Sequence, residues 1–145
     1  MPTKILVIDD DAAITELMSL LLQTHGFDVV TTNNSAEGVK LAAEKNPCIV
    51  ILDLMMPEMD GGQVSKAIRK FSNVPILVVS AVGDPGMIAS VLDAGADGFL
   101  SKPVPTSVLI AHIKKMTKHQ TGSLGSLKPK IEAAGAQRNT QPLAS

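Results

Sequence analysis

The sequence predicts an α/β fold, doubly wound, in which helices cover both faces of a parallel sheet. Short β-branched apolar runs alternate with longer segments of helical periodicity, and the pair recurs five times. The run CIVIL at 48–52 is apolar throughout, as a central parallel strand covered on both faces must be. A length of 145 residues suits one hydrophobic core rather than two.

The elements follow in order. Lys4–Ile8 (KILVI) forms the first strand and ends abruptly in Asp9, Asp10 and Asp11. Asp11 suits the N-cap of a helix carrying Ile14, Leu17, Met18, Leu21 and Leu22 at helical spacing, and Gly26 stops it. Phe27–Thr32 reads as a strand, and Ser35 caps a helix running towards Lys45. After the CIVIL strand, Pro57 and Gly61–Gly62 mark a long turn before a helix near Gln63–Phe71. Pro75–Ser80 is a buried strand, followed by a helix over about 85–94 and a short strand at Gly98–Ser101. Val108, Ile110, Ile113 and Met116 mark a last helix ending near Lys118. Residues 1–119 are therefore read as the domain. Residues 120–145, rich in Gly, Pro and small polar residues, are read as a flexible or disordered tail, too short to be an output domain.

Composition excludes several classes. Lys plus Arg total 13 against 14 Asp plus Glu, and this near-neutrality argues against binding nucleic acid or anionic membrane through overall charge. The neutrality is a sum of unlike pieces, −3 over residues 1–119 and +2 beyond them. One Cys rules out an internal disulfide framework and a Cys-built zinc site. No apolar run has the length of a membrane helix and no signal-peptide core is present, so a cytoplasmic location is expected.

Ligands of such folds sit beyond the carboxyl ends of the strands. Those ends deliver Asp9 and Asp10, then Asp53, Ser80 and Lys102. Three converging carboxylates repel one another unless a cation intervenes, and an all-oxygen donor set suits Mg²⁺. Lys102 adds a mobile positive charge and Ser80 a small hydroxyl. Carboxylate, divalent cation, ammonium and hydroxyl together suit phosphoryl transfer, with a carboxylate as nucleophile. A Rossmann or P-loop site would need glycines where this chain has Asp9–Asp11, and no Gly-x-Ser-x-Gly elbow is present.

VIDDD (Val7–Asp11), ILDLMMPEMDG (Ile51–Gly61), PILVVSA (Pro75–Ala81) and GADGFLSKP (Gly95–Pro103) together resemble the receiver domain of bacterial two-component response regulators. The resemblance spans residues 3–118 and implies a flavodoxin-like (βα)5 fold with strand order 2-1-3-4-5. It makes Asp53 the phosphoacceptor, Asp10 the principal metal ligand, and Asp9 a ligand directly or through water. The Met55 carbonyl would complete the protein's share of the shell around Mg²⁺, with Mn²⁺ as the alternative ion. Ser80 and Lys102 would hold the phosphoryl group, Phe99 would be the switch aromatic moving with Ser80, and the Lys102–Pro103 bond would be cis. Apolar Met55 and Val82 occupy the two positions that tune hydrolysis, which implies a phosphorylated form lasting minutes or more.

The implied function is that of a stand-alone receiver. A sensor His kinase or His phosphotransfer protein would be the donor, and an effector would read the face of the fourth helix, fifth strand and fifth helix. That face is also the place for a homodimer, and no nucleic acid or membrane insertion is implied. Two other classes use parts of this pattern. A haloacid-dehalogenase-like phosphohydrolase forms an aspartyl phosphate but carries Asp-x-Asp after its first strand. An interaction module independent of phosphorylation would keep the fold alone. Of the remaining residues, Cys48 reads as core, and His25 as a helix end. Met55, Met56 and Met59 read equally as loop packing or as an adaptable contact surface.

Overall fold

The computed structural model describes residues 2–126 except Val82. Five strands and five helices alternate: β1 (Lys4–Ile8), α1 (Ala12–Thr24), β2 (Asp28–Thr32), α2 (Ser35–Lys45), β3 (Ile49–Leu52), α3 (Gly61–Arg69), β4 (Ile76–Ser80), α4 (Pro85–Asp93), β5 (Gly98–Ser101) and α5 (Thr106–Ser126). The strands form one parallel sheet in the order β2-β1-β3-β4-β5. No helix among the described residues is long and apolar enough to cross a membrane.

Alternation along each strand divides the core into two layers. Leu6, Ile8, Val50, Leu52, Ile76 and Val78 join Ala42 of α2, Val64 and Ile68 of α3 and Val91 of α4 in one buried cluster. Ile5, Val7, Ile49, Ile51, Leu77 and Val79 are buried too and point to the opposite face. Buried Leu22 of α1 and Leu109, Ile110 and Ile113 of α5 lie outside the first cluster and belong with that second layer. Gly38 sets how closely α2 approaches the sheet: a Cβ there would stand 2.6 Å from Ile8 Cδ1.

Local chemistry explains the element ends. Asp11 caps α1, accepting from the Ala13 and Ile14 amides, and Gly26 follows at φ +87°. Asp60 and Gln63 close a capping box on α3, and Asp84 caps α4 ahead of Pro85 at its first turn. Arg69 ties three segments together. Its guanidinium donates to the carbonyls of Gly95 (3.1 Å), Ser72 (3.1 Å) and Val74 (2.8 Å) and pairs with Asp97 at 2.8 Å, while Asp97 also accepts from the Ile76 amide.

Several expectations need correction. The N-cap of α2 is Asn34, whose side chain accepts from the Glu37 amide; Ser35 is the first helical residue, is buried, and donates to the Met59 carbonyl. Cys48 precedes β3 and is half-buried rather than part of the strand core. In α1, Leu17 is exposed, whereas Thr15 is buried. In α5 the inward stripe runs through Leu109 rather than Val108, one residue later than the apolar spacing suggests. The same helix continues past Lys118 to Ser126, so residues 120–126 are helical. Gly122 and Gly125 each cost about 1 kcal/mol of helix propensity but do not break the turn as Pro129 would. The rest of the segment read as a tail, 127–145, lies outside the described residues.

The chain separates into two compact units, residues 1–113 and 114–145. The first contains the whole sheet and helices α1 to α4; the second is described as the continuation of α5.

Candidate functional site

Strand register assembles the site. Ile8 pairs with Leu52, so Asp9 and Asp53 leave adjacent strands side by side, and the Asp53 amide donates to the Ile8 carbonyl at 2.9 Å. Ser80 pairs with Ser101, and the next residue, Lys102, donates its amide to the Ser80 carbonyl at 2.9 Å. Residues separated by 93 positions thereby meet: Lys102 Nζ lies 2.9 Å from Asp9 Oδ2 and 4.0 Å from Asp53 Oδ1.

The three carboxylates are not equivalent. Asp9 is buried; its Oδ1 accepts from the Asp11 amide at 3.0 Å and its Oδ2 receives Lys102. Asp10 is exposed. Asp53 is half-buried and accepts a hydrogen bond from the buried Ser80 hydroxyl. Burial and the neighbouring Asp9 carboxylate raise the Asp53 pKa above its usual 3.8, Asp10 adds to the rise, and Lys102 and Ser80 oppose it. One oxygen from each of Asp9, Asp10 and Asp53 lies within 4.8 Å of the others. Three convergent carboxylates with a single neighbouring ammonium have the charge and the hard oxygen donors of a Mg²⁺ site.

The surrounding loops hold this geometry. Asn33, which the sequence reading missed, donates to the Asp9 carbonyl at 2.8 Å and to Thr15 Oγ1 at 3.0 Å, fixing the turn after β1. Its signal was its place at the carboxyl end of β2. Gly61, previously read only as part of a turn, donates to the Leu54 carbonyl at 2.7 Å. A Cβ there would meet Leu54 Cα at 2.9 Å and the Asp53 carbonyl oxygen at 3.1 Å.

The other expected residues lie around this centre. The Lys102–Pro103 bond is cis. Phe99 is half-buried against the core, and its ring edge lies within 3.8 Å of a Cβ position on Gly83, in the loop after β4. Met55 is 50% exposed, whereas Met56 is buried and Met59 packs against the core, so of the three methionines only Met55 offers a free surface. Met55 also lines a cleft of about 220 Å³ with Leu54, Asp60, Gly62, Met87, Ser90 and Val91. Val82, the other expected tuner of hydrolysis, lies outside the described residues.

The family model of the response regulator receiver domain matches residues 5–114. The chain belongs to this family. Among curated relatives, this receiver is 42% identical over 116 residues to the transcriptional regulatory protein CpxR homolog of Haemophilus influenzae, covering 80% of this chain and 51% of the relative. It is 34% identical over 114 residues to the DNA-binding response regulator MtrA of Mycobacterium leprae, covering 79% and 51% respectively. The chain thus spans about half the length of the curated relatives it matches. Among solved structures, the chemotaxis protein CheY4 of Vibrio cholerae superposes with a TM-score of 0.74 at 29% identity, over 80% of this chain and 99% of that one. A receiver domain from Clostridium thermocellum gives 0.78 at 29%, over 82% and 97%. The fold is therefore the flavodoxin-like receiver fold, and the chain is a receiver of the two-component response regulator class.

Proposed function

We propose that this receiver accepts a phosphoryl group on Asp53 from a phosphohistidine of a sensor kinase or phosphotransfer protein and signals through a changed surface. One observation carries the assignment of Asp53. Both oxygens of Asp9 are engaged, by the Asp11 amide and by Lys102, and Asp10 stands exposed at the rim. Asp53 has an oxygen within 4.8 Å of one from each of them, accepts from the Ser80 hydroxyl, and has Lys102 at 4.0 Å, beyond hydrogen-bond range. Half-buried and not held by Lys102 at hydrogen-bond distance, it is the carboxylate best placed to attack.

In the transfer, an Asp53 oxygen forms a bond to phosphorus as the bond from phosphorus to the donor nitrogen breaks. Asp9, Asp10, Asp53 and the Met55 carbonyl would hold Mg²⁺ or Mn²⁺, which supplies charge neutralisation for the phosphoryl oxygens. Lys102 is close enough to leave Asp9 and pair with the new group, and the Ser80 hydroxyl, already on Asp53, can turn to a phosphoryl oxygen. Movement of Ser80 opens space for Phe99 and biases the face of α4, β5 and α5. That face is the proposed contact for an effector or a second copy. Leu17 and Leu20, 53% and 60% exposed on α1, the helix that follows Asp9 and Asp10 in the chain, offer a donor apolar contact. A cytoplasmic location agrees with the absence of a membrane-crossing helix among the described residues.

The turnover expected of such a device is self-phosphorylation and slow loss of the group, not catalysis on a released substrate. Incubation with acetyl phosphate and Mg²⁺ should add one phosphoryl group by intact mass, and Asp53→Asn should prevent it. Modification persisting in that variant would overturn the assignment. A chain that gains nothing from any donor would be an interaction module.

A further inference from the structure

Four successive residues where β2 meets α2, residues 32–35, touch both of the loops that carry the carboxylates. On one side is the turn after β1. The Asp9 amide donates to the Thr32 carbonyl at 3.2 Å, and the Asn33 side chain donates to the Asp9 carbonyl at 2.8 Å. On the other side is the loop after β3. The Ser35 hydroxyl donates to the Met59 carbonyl at 2.9 Å, and the Asn34 side chain donates to Glu58 Oε1 at 3.3 Å. Strand order makes this reach unusual, because β1 lies between β2 and β3. The β1–β3 ladder ends with the Ile8–Leu52 pair and the Asp53 amide, and beyond those points the β2–α2 connection crosses β1 and ties the two loops together.

The tie has a firm anchor. Ser35 is buried, and its hydroxyl also lies 3.5 Å from the sulfur of buried Met56. Three residues on, Gly38 leaves no room for a side chain between α2 and Ile8, the residue before Asp9. A contrary force acts on the same loops. Residues 1–113 carry 7 Lys plus Arg against 13 Asp plus Glu, a unit of net −6, and Asp9, Asp10 and Asp53 each bring an oxygen within 4.8 Å of the others. Like charges so close push their loops apart when no cation lies between them. We propose that Asn33 and Ser35 act together as a clamp that fixes the separation of the two loops and so sets the cation site for Mg²⁺ in preference to Ca²⁺. Mg²⁺ demands a near-ideal shell at about 2.0–2.1 Å, whereas Ca²⁺ accepts flexible shells at about 2.3–2.6 Å, so rigid spacing is what separates them. Both side chains donate to backbone carbonyls, of Asp9 and Met59, and to no carboxylate of the site, which makes them positioning residues. The clamp rests on the reading that Asp9, Asp10, Asp53 and the Met55 carbonyl hold the cation.

The test is a double-mutant cycle, read from amide chemical shifts of the isotope-labelled full chain titrated with Mg²⁺ and with Ca²⁺. Asn33→Ala and Ser35→Ala should each bind Mg²⁺ about tenfold more weakly, the scale on which groups that orient metal ligands act. Ca²⁺ binding should change by less, so the preference for Mg²⁺ falls. The double variant should again lose only about tenfold, because a clamp released at one end no longer sets the separation, whereas two independent supports would multiply to about a hundredfold. Asn33 is exposed, so Asn33→Ala keeps the fold, and its Mg²⁺ to Ca²⁺ ratio decides alone if Ser35→Ala does not fold. The clamp is overturned by unaltered Mg²⁺ binding in the variants, by an equal loss for both ions, or by multiplied losses in the double variant. If the unaltered chain binds no Mg²⁺, or binds it equally well after Asp10→Asn, the cation site falls and the clamp with it. Normal binding by the unaltered chain with no change in the variants removes the clamp alone.

Discussion

At the scale of single residues, Lys102 is shared between two carboxylates that a divalent cation would also want. It lies 2.9 Å from Asp9 and 4.0 Å from Asp53, so an arriving cation meets both its repulsion and an Asp9 already neutralised. Lys102→Ala should therefore tighten Mg²⁺ binding, by about tenfold for like charges a few ångströms apart in a wet site, while slowing the gain of a phosphoryl group. Titration calorimetry of both proteins decides it: equal or weaker Mg²⁺ binding in the variant would show that Lys102 does not compete. Asp53 makes a second prediction, through linkage. Burial first, then Asp9, raise its pKa above the usual 3.8, so the folded protein holds this proton more tightly than the unfolded chain does. Stability is therefore lost as pH climbs from just below 3.8 through the raised value, and the loss persists at neutral pH. In metal-free buffer Asp53→Asn should raise Tm at pH 7, and the gain should shrink towards zero near pH 3. A gain that grows on acidification would contradict the sign.

At the scale of elements, the turn from β3 into α3 fixes the phosphoacceptor from behind. Because a Cβ on Gly61 would press on Leu54 Cα and the Asp53 carbonyl oxygen, the backbone rather than a flexible side-chain end must yield. Gly61→Ala should cost about 1–3 kcal/mol in urea unfolding and slow phosphorylation by acetyl phosphate about tenfold or more, since small displacements at a reacting atom are expensive. Stability loss with an unaltered phosphorylation rate would mean that the strain is absorbed away from Asp53. The constraint was invisible in sequence, where Gly61–Gly62 reads only as a turn. What could be read was whatever depends on local pattern: five strands, five helices, and a set of polar residues at the strand ends. The site came through because parallel strands place successive carboxyl ends on one edge, so Asp9, Asp53 and Lys102 could be grouped without coordinates. Features set by pairing or by tertiary packing did not come through. Asn34 rather than Ser35 caps α2 because Ser35 is drawn inside by the Met59 carbonyl, and Leu109 rather than Val108 faces the core. Nor does local pattern show which of two successive carboxylates is buried beside Lys102, since only the sheet decides that.

At the scale of the whole molecule, three carboxylates drawn to one edge of a unit of net −6 are a standing cost that a bound cation would relieve. The unfolded chain disperses the same groups across 45 positions and has no comparable site. A ligand that binds only the folded state stabilises it by RT ln(1 + [L]/Kd), about 1.4 kcal/mol at ten times Kd. For a unit of this size that should lift Tm by about 5 °C. The rise must exceed that produced by NaCl at equal ionic strength, because simple screening also relaxes a net charge of −6. Asp10→Asn separates the two effects. Asp10 is exposed and has no ion pair among the described residues, so its loss should cost the metal-free fold little while removing a charged ligand. Scanning calorimetry should then show most of the Mg²⁺-induced rise abolished in the variant and the NaCl-induced rise intact. If Mg²⁺ lifts the Tm of both proteins equally, the ion acts on overall charge, and the three carboxylates do not form its site.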